Sequence, residues 1–291
     1  MTELRWDVRR FATLPSTNDW LLAQARAGAR AGTVAVADHQ RAGRGRLGRR
    51  WEAPPGTSLL VSVLLRPLAP LDELYPVTAA VALAAADACV EVAGVAPRVK
   101  WPNDLLVDER KLAGVLAESD AAAPGGRAGS VAVVVGLGCN VNWDGPEGAT
   151  SLRRASGRAV DREALLTAFL GALARRAGSL DEVAGRRSVL EELRRRCATL
   201  GRCVRATIGA GGGAAERTGV AVAIDEGGRL LVEHDGTTTA LAAGDVVHLR
   251  SLAAPATRHD PGTSGDPGTS RDPGTSGDPG TSRDPGAPDP R

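Results

Sequence analysis

The chain has 291 residues, 43% of them hydrophobic, and a net charge of +2. This is enough for one large domain with a small one attached, folded without staples, and the near-balanced charge excludes a molecule drawn as a whole to nucleic acid or membrane. The four cysteines form no CxxC pair and fit neither a zinc spacing nor a dense disulfide framework; free thiols in a cytoplasmic protein are expected, and no signal peptide or membrane-spanning length is read in the chain.

In chain order, Ser16-Thr17-Asn18-Asp19 precedes an apolar-periodic run ending at Gly28. This is a helix start with capping side chains, and its free N–H groups also suit a polar ligand; the motif is compatible with either role. Short Val/Leu-rich runs bounded by Gly or Pro predict strands over 33–37, 58–65 and 131–137. Helices are expected over 77–92, 162–177 and 187–197, with a loop over 120–130. Strand and helix periods alternate to about residue 200, an α+β pattern. Beyond it, five β segments over 202–208, 220–224, 230–233, 237–241 and 246–249 suggest a small barrel, with a hairpin turn at Asp225-Glu226-Gly227-Gly228. The organisation read here is residues 1–199, 200–252 and 253–291. From Asp260, DPGTSG or DPGTSR repeats four times; this tail is expected to be disordered, and glycine at every sixth position excludes a collagen helix.

Three further motifs carry candidate chemistry. The stretch 40–51, QRAGRGRLGRRW, has glycines that let backbone wrap an anion and arginines that donate in pairs to phosphate or carboxylate. It is not a P-loop, since the spacing differs from GxxxxGK[ST], and a non-specific RNA-binding segment has the same composition. Self-repulsion among its arginines predicts a loop ordered by ligand. Lys100-Trp101-Pro102-Asn103-Asp104 is followed by Arg110-Lys111-Leu112-Ala113-Gly114. All other basic residues are arginine, so two lysines within twelve positions mark a place where a compact ammonium matters. A hairpin at Asp108-Glu109 is expected to bring Lys111 beside Lys100, and Asp104 could orient a basic partner or help hold a metal ion; a plain surface turn is the alternative. Gly136-Leu137-Gly138-Cys139-Asn140-Val141-Asn142 closes a strand with room for close approach.

Together and in this order, STN at 16–18, GRGRxGRxW at 43–51, KWPND at 100–104, RKLAG at 110–114 and GxGxN at 136–140 resemble the biotin protein ligases. The resemblance implies a mixed sheet flanked by helices, related to class II aminoacyl-tRNA synthetases, then an SH3-like barrel. It implies that Ser16, Thr17, Asn18 and Gln40 hold biotin, that Arg44, Gly45 and Arg46 close over its carboxylate side, and that Gly114 also borders it. Lys111 matches the family's essential lysine, with Arg46 as its catalytic companion. Arg49, Trp51, Lys100, Asp104 and Asn140 match positions near ATP or the adenylate, and Asp104 a position near Mg²⁺. Leu47 stands where some relatives have a basic residue. ATP, biotin and Mg²⁺ are thus implied, with a biotin carboxyl carrier domain of a carboxylase as acceptor. With STN at residue 16 there is no room for the winged helix of some relatives, so neither DNA nor membrane binding is expected; monomer and homodimer both stay open. The readings that compete are a lipoate or octanoyl ligase or transferase of the same architecture, a nucleic-acid-binding module, and a scaffold without ATP turnover.

Overall fold

A computed structural model describes residues 4–208, 215–242 and 245–249. The repeat tail, with the disorder expected of it, lies outside the described residues.

Seven strands form one mixed sheet in the order β1-β2-β3-β7-β6-β5-β4. They are β1 (Asp7–Leu14), β2 (Thr33–Gln40), β3 (Ser58–Leu65), β4 (Arg98–Lys100), β5 (Asp104–Val107), β6 (Arg110–Asp120) and β7 (Ala132–Asn140). Only β1 and β2 run parallel; the other pairs are antiparallel. The helices are α1 (Thr17–Arg26), α2 (Tyr75–Ala93), α3 (Leu152–Ser156), α4 (Arg162–Ala177) and α5 (Val183–Arg196).

The period of two along a strand divides the sheet chemically. Leu59, Val61, Val63 and Leu65 of β3 join Val133, Val135, Leu137 and Cys139 of β7 in a core with α2 and α4. The opposite face is apolar at one end only, where Leu64, Ala132 and Val134 meet Leu21 and Ala25 of α1. Farther along it β3 and β7 present Ser62 against Gly136, Leu60 against Gly138 and Ser58 against Asn140. That half-uncovered face is where a ligand has room.

Against the sequence expectation, Leu71–Ala93 is long and apolar enough to cross a membrane by length and composition. In this fold it belongs to the core, with Val77, Val81, Leu83 and most of the alanines buried. The edge strand β1 and the five-residue α3 were not expected either: β1 is largely exposed and lacks apolar alternation, and α3 is one capped turn. α5 begins at Val183, four residues before the expected start. The turn between β5 and β6 is at Asp108 and Glu109, both left-handed with φ of 49° and 61°, the backbone of a two-residue hairpin.

A second, antiparallel sheet runs β11-β10-β9-β8-β12, from β8 (Cys203–Ile208), β9 (Ala215–Ile224), β10 (Leu230–His234), β11 (Thr237–Leu241) and β12 (Asp245–His248). It is fastened to the turn before β5. The fully buried Trp101 donates its indole N–H to the Gly228 carbonyl at 3.0 Å, and its backbone N–H goes to Thr199 Oγ1 at 3.0 Å. Tyr75 donates its hydroxyl to the Pro102 carbonyl at 3.0 Å. At the hairpin tip, Glu109 lies 2.7 Å from Arg202 and 3.3 Å from His248 Nδ1.

Burial pushes the His248 imidazole below its ordinary value of 6.5; Lys100 and Arg202 push the same way, against the Glu109 contact. The folded state therefore binds this proton more weakly than the unfolded chain, so stability falls as pH drops through the ordinary value. Unfolding midpoints in urea from about pH 8 to about pH 5 are expected to decline less for His248→Gln than for wild type; equal declines would show that this group does not set the slope.

Candidate active site

Three glycines clear the working face. Gly114 on β6 pairs with Gly138 on β7, and Gly136 is two residues away on the same face. A Cβ on Gly136 would stand 2.3 Å from Asn18 Oδ1, and one on Gly138 would stand 2.5 Å from the Trp51 ring. One on Gly114 would sit 3.3 Å from both Lys111 Nζ and the Trp51 ring. Polar side chains and an indole thus lie directly on bare backbone, which any larger residue would prevent.

One end of this surface is a buried polar cluster at the start of α1. Ser16 Oγ caps the helix by accepting from Asp19 N at 3.3 Å. Thr17 donates its backbone N–H (2.7 Å) and its hydroxyl (3.0 Å) to Gln40 Oε1. Ser62 Oγ lies 2.6 Å from Asn18 Oδ1, while Asn18 Nδ2 donates to Glu118 at 2.8 Å and to the Leu116 carbonyl at 3.1 Å. Such a network is rigid because every lost bond would strand a buried polar atom.

At the other end Lys111 Nζ lies 2.7 Å from Asp104 Oδ1 and 5.8 Å from the centre of the Trp51 ring, within range of a cation–π contact. The backbone of Lys111 is pinned on both sides, donating to the Gly148 carbonyl at 3.2 Å and accepting from Thr150 N at 2.9 Å. Asp104 Oδ1 is matched by its ion pair with Lys111 alone and accepts no other hydrogen bond among the described residues. Trp51 Nε1, Asn140 Oδ1, Ser58 Oγ and His39 Nδ1 are buried without a hydrogen-bond partner among the described residues. Unsatisfied buried polar atoms are rare; Trp51 Nε1, whose residue lines the cavity, offers a donor to a polar ligand.

Residues 43–51 cover the cavity as a hairpin-like lid. Trp51 N donates to the Gly43 carbonyl at 2.9 Å, Arg44 bridges Arg50, and Gly45 N donates to the Arg49 carbonyl at 2.7 Å. Leu47 at the tip is left-handed, with φ of 56°, and 54% exposed. Arg46 donates to Asn103 Oδ1 at 3.1 Å, and Arg44 lies 2.6 Å from both Asp19 and Glu118. The cavity beneath the lid has a volume of about 120 Å³, below the ~300 Å³ at which small-molecule sites begin. A hollow of about 410 Å³ lies on the lid's other side, against Tyr75, Thr78 and Pro102.

Ser16, Thr17, Asn18, Gln40, Arg44, Gly45, Arg46, Arg49, Trp51, Asp104, Lys111 and Gly114 all line this one cavity. Asn140 and Lys100 do not. Asn140 is buried on the same sheet face, donating to the Thr150 carbonyl at 3.1 Å. Lys100 is on β4, its charge felt by His248. The expectation that the hairpin sets Lys111 beside Lys100 is corrected: β5 lies between β6 and β4, and Lys111 pairs with Leu106. Gly136 and Gly138 of the 136–142 motif line the cavity as well, whereas sequence reasoning missed Ser62 and Glu118, which hold its polar cluster. Ser58 and Ser62 carried a signal, being four apart in an otherwise apolar strand and therefore on one face.

The fold and this cavity define a class. Residues 11–140 match the Biotin/lipoate A/B protein ligase family, and residues 199–249 match the Biotin protein ligase C terminal domain. The chain is 37% identical over 243 residues to the biotin--[acetyl-CoA-carboxylase] ligase of Mycobacterium tuberculosis, covering 81% of this chain and 86% of that protein. It is 38% identical over 146 residues to the bifunctional ligase/repressor BirA of Bacillus subtilis, covering 44% of that longer relative. Among solved structures, the biotin protein ligase from Aquifex aeolicus in complex with biotin and ATP superposes with a TM-score of 0.70 at 27% identity, over 84% of this chain and 99% of that one. This chain belongs to the biotin protein ligase family.

Gly138→Ala is expected to cost about 1–3 kcal/mol of stability by forcing the indole aside. If that clash is the cause, adding Trp51→Ala will recover part of the loss, so the two changes will be non-additive in urea unfolding; strict additivity would refute the contact.

Proposed function

We propose that this chain joins biotin to ATP as biotinyl-5'-AMP and then transfers the biotinyl group to a lysine of a biotin carboxyl carrier domain. The observation that carries the reading is one small cavity bordered at one end by the Ser16–Asn18 polar cluster and at the other by Lys111, Arg46 and Trp51.

Adenylation brings a carboxylate against a triphosphate, so negative charge must be offset before the groups can meet. Lys111, Arg46 and Arg49 supply the cations, acting by position and electrostatics. Ser16, Thr17, Asn18 and Gln40 fit the polar ring system of biotin, and Gly114 leaves space beside it. Trp51 and Asn140 fit the adenylate side. In the first step a biotin carboxylate oxygen bonds to the α-phosphorus and pyrophosphate leaves. In the second, the acceptor amine attacks the acyl carbon, the acyl–oxygen bond breaks, the amine loses a proton and AMP departs. No side-chain nucleophile is needed, and the lid excludes water from the labile anhydride.

Asp104 is the only carboxylate lining the cavity among the described residues, which contain no cluster of three or more His, Cys, Asp or Glu suited to a metal. That donor set fits Mg²⁺, which is commonly held by one or two carboxylates together with substrate phosphates; Asp104 would be its protein ligand. When bound, the ion would neutralise phosphate charge. Dependence on ATP supports a cytoplasmic setting. Lys100 lies outside the residues that line the cavity.

The 11–140 match alone would also admit a lipoate ligase, but the 199–249 match favours biotin. Incubation with ATP, Mg²⁺, a carrier domain and equal biotin and lipoate should add a single biotinyl group by mass spectrometry; lipoylation would overturn the assignment. Lys111→Ala should abolish pyrophosphate release while unfolding at the wild-type urea concentration, and wild-type release would remove Lys111 from the chemistry.

A further inference from the structure

The lid and the fixed body of the protein are joined by a three-way ion contact that neither adenylation nor transfer uses. Arg44 and Arg50 face each other across the lid's two arms, and like charges directly opposite are destabilising. The Arg44 guanidinium is offset from outside the lid, by Asp19 Oδ1 in the first turn of α1 and Glu118 Oε2 on β6, each at 2.6 Å. With a cavity of about 120 Å³ beneath it, too small for a typical ligand, the lid has to move outwards to admit one. Swinging away separates Arg44 from both carboxylates.

We propose that Asp19 is a positioning residue that acts through Arg44 as the releasable half of a lid latch, setting how fast the lid opens and so how long the adenylate is retained. The inference rests on the functional reading above. The two carboxylates differ in what else they do. Glu118 also accepts from Asn18 at 2.8 Å, so changing it disturbs the buried polar cluster. Asp19 projects its half-exposed carboxylate to Arg44 alone among the contacts described, while its backbone N–H stays with the Ser16 cap. Removing its charge therefore tests the latch without altering the cluster. A second consequence concerns Arg44 itself: already faced by two carboxylates, it is a poor receptor for a ligand carboxylate while the latch is closed.

The contact is partly exposed, with the three side chains between 26% and 49% accessible, so its effect is modest and salt-sensitive. Loss of such a pair corresponds to about a two- to fivefold change in an opening equilibrium. The lid's own arginines provide a readout that needs no ligand: trypsin cleavage after Arg46 and Arg49, mapped by mass spectrometry. In Asp19→Asn, cleavage at these sites should rise about two- to fivefold, with Asp19→Glu close to wild type. High salt should bring wild type towards Asp19→Asn while changing the variant less. Escape of preformed biotinyl-AMP should quicken by the same factor. Equal lid cleavage in Asp19→Asn and wild type overturns the latch, as does faster cleavage with unchanged adenylate escape. If cleavage responds as expected but the wild-type protein forms no biotinyl-AMP, the functional reading fails and the latch stands.

Discussion

A stretch of sheet without side chains is the constraint on which the rest of this molecule depends. Where β6 and β7 run side by side, Gly114, Gly136 and Gly138 expose bare backbone, and Asn18, Trp51 and Lys111 settle onto it. Without that clearance the indole could not lie flat, the ammonium could not reach both Asp104 and the ring, and the polar cluster of α1 would be lifted off the sheet. The opposite face of the same strands places Ala113 and Val115 of β6 and Val133, Val135, Leu137 and Cys139 of β7 in the core shared with α2 and α4. One pair of strands thus supplies a close-packed core on one side and a binding surface on the other.

Around that surface the protein places parts of unequal rigidity. The Ser16–Asn18 cluster is buried and hydrogen-bonded throughout, and Lys111 is held by its backbone on both sides. The Trp101–Asp104 turn is set by α2 through Tyr75 and by the second sheet through Gly228. That sheet contributes its support at a distance: it steadies the turn from which Asn103 meets Arg46 and Asp104 meets Lys111. The lid is closed at its base by backbone bonds and at its flank by partly exposed charges. Parts that open are drawn from a protein's weaker contacts, and the proposed latch places the lid's weak contacts among these ionic ones.

Much of this was legible in the residues. The helix over 162–177 and the strand over 58–65 coincide with α4 and β3, because each is a long periodic run with a clear stop. The Asp108-Glu109 turn could be read from its place between two β-like runs. The edge strand β1 could not, since an exposed strand has no need of apolar alternation. The relation of the two lysines was misjudged because strand order is a tertiary fact: nothing local says that β5 separates β4 from β6. Glu118 and Ser62 escaped notice for a similar reason, each being an ordinary polar residue until its strand is laid beside α1. The membrane-length stretch at Leu71–Ala93 was overlooked because alanine dilutes its apolar appearance, and its burial follows from packing against α4.

If one cavity unites the acid group of biotin with the α-phosphate of ATP before any acceptor arrives, labelled pyrophosphate will exchange into ATP in a reaction that depends on biotin and Mg²⁺, proceeds without a carrier domain and is lost when biotin is replaced by lipoate. Exchange without biotin, or none until the carrier is added, would contradict it.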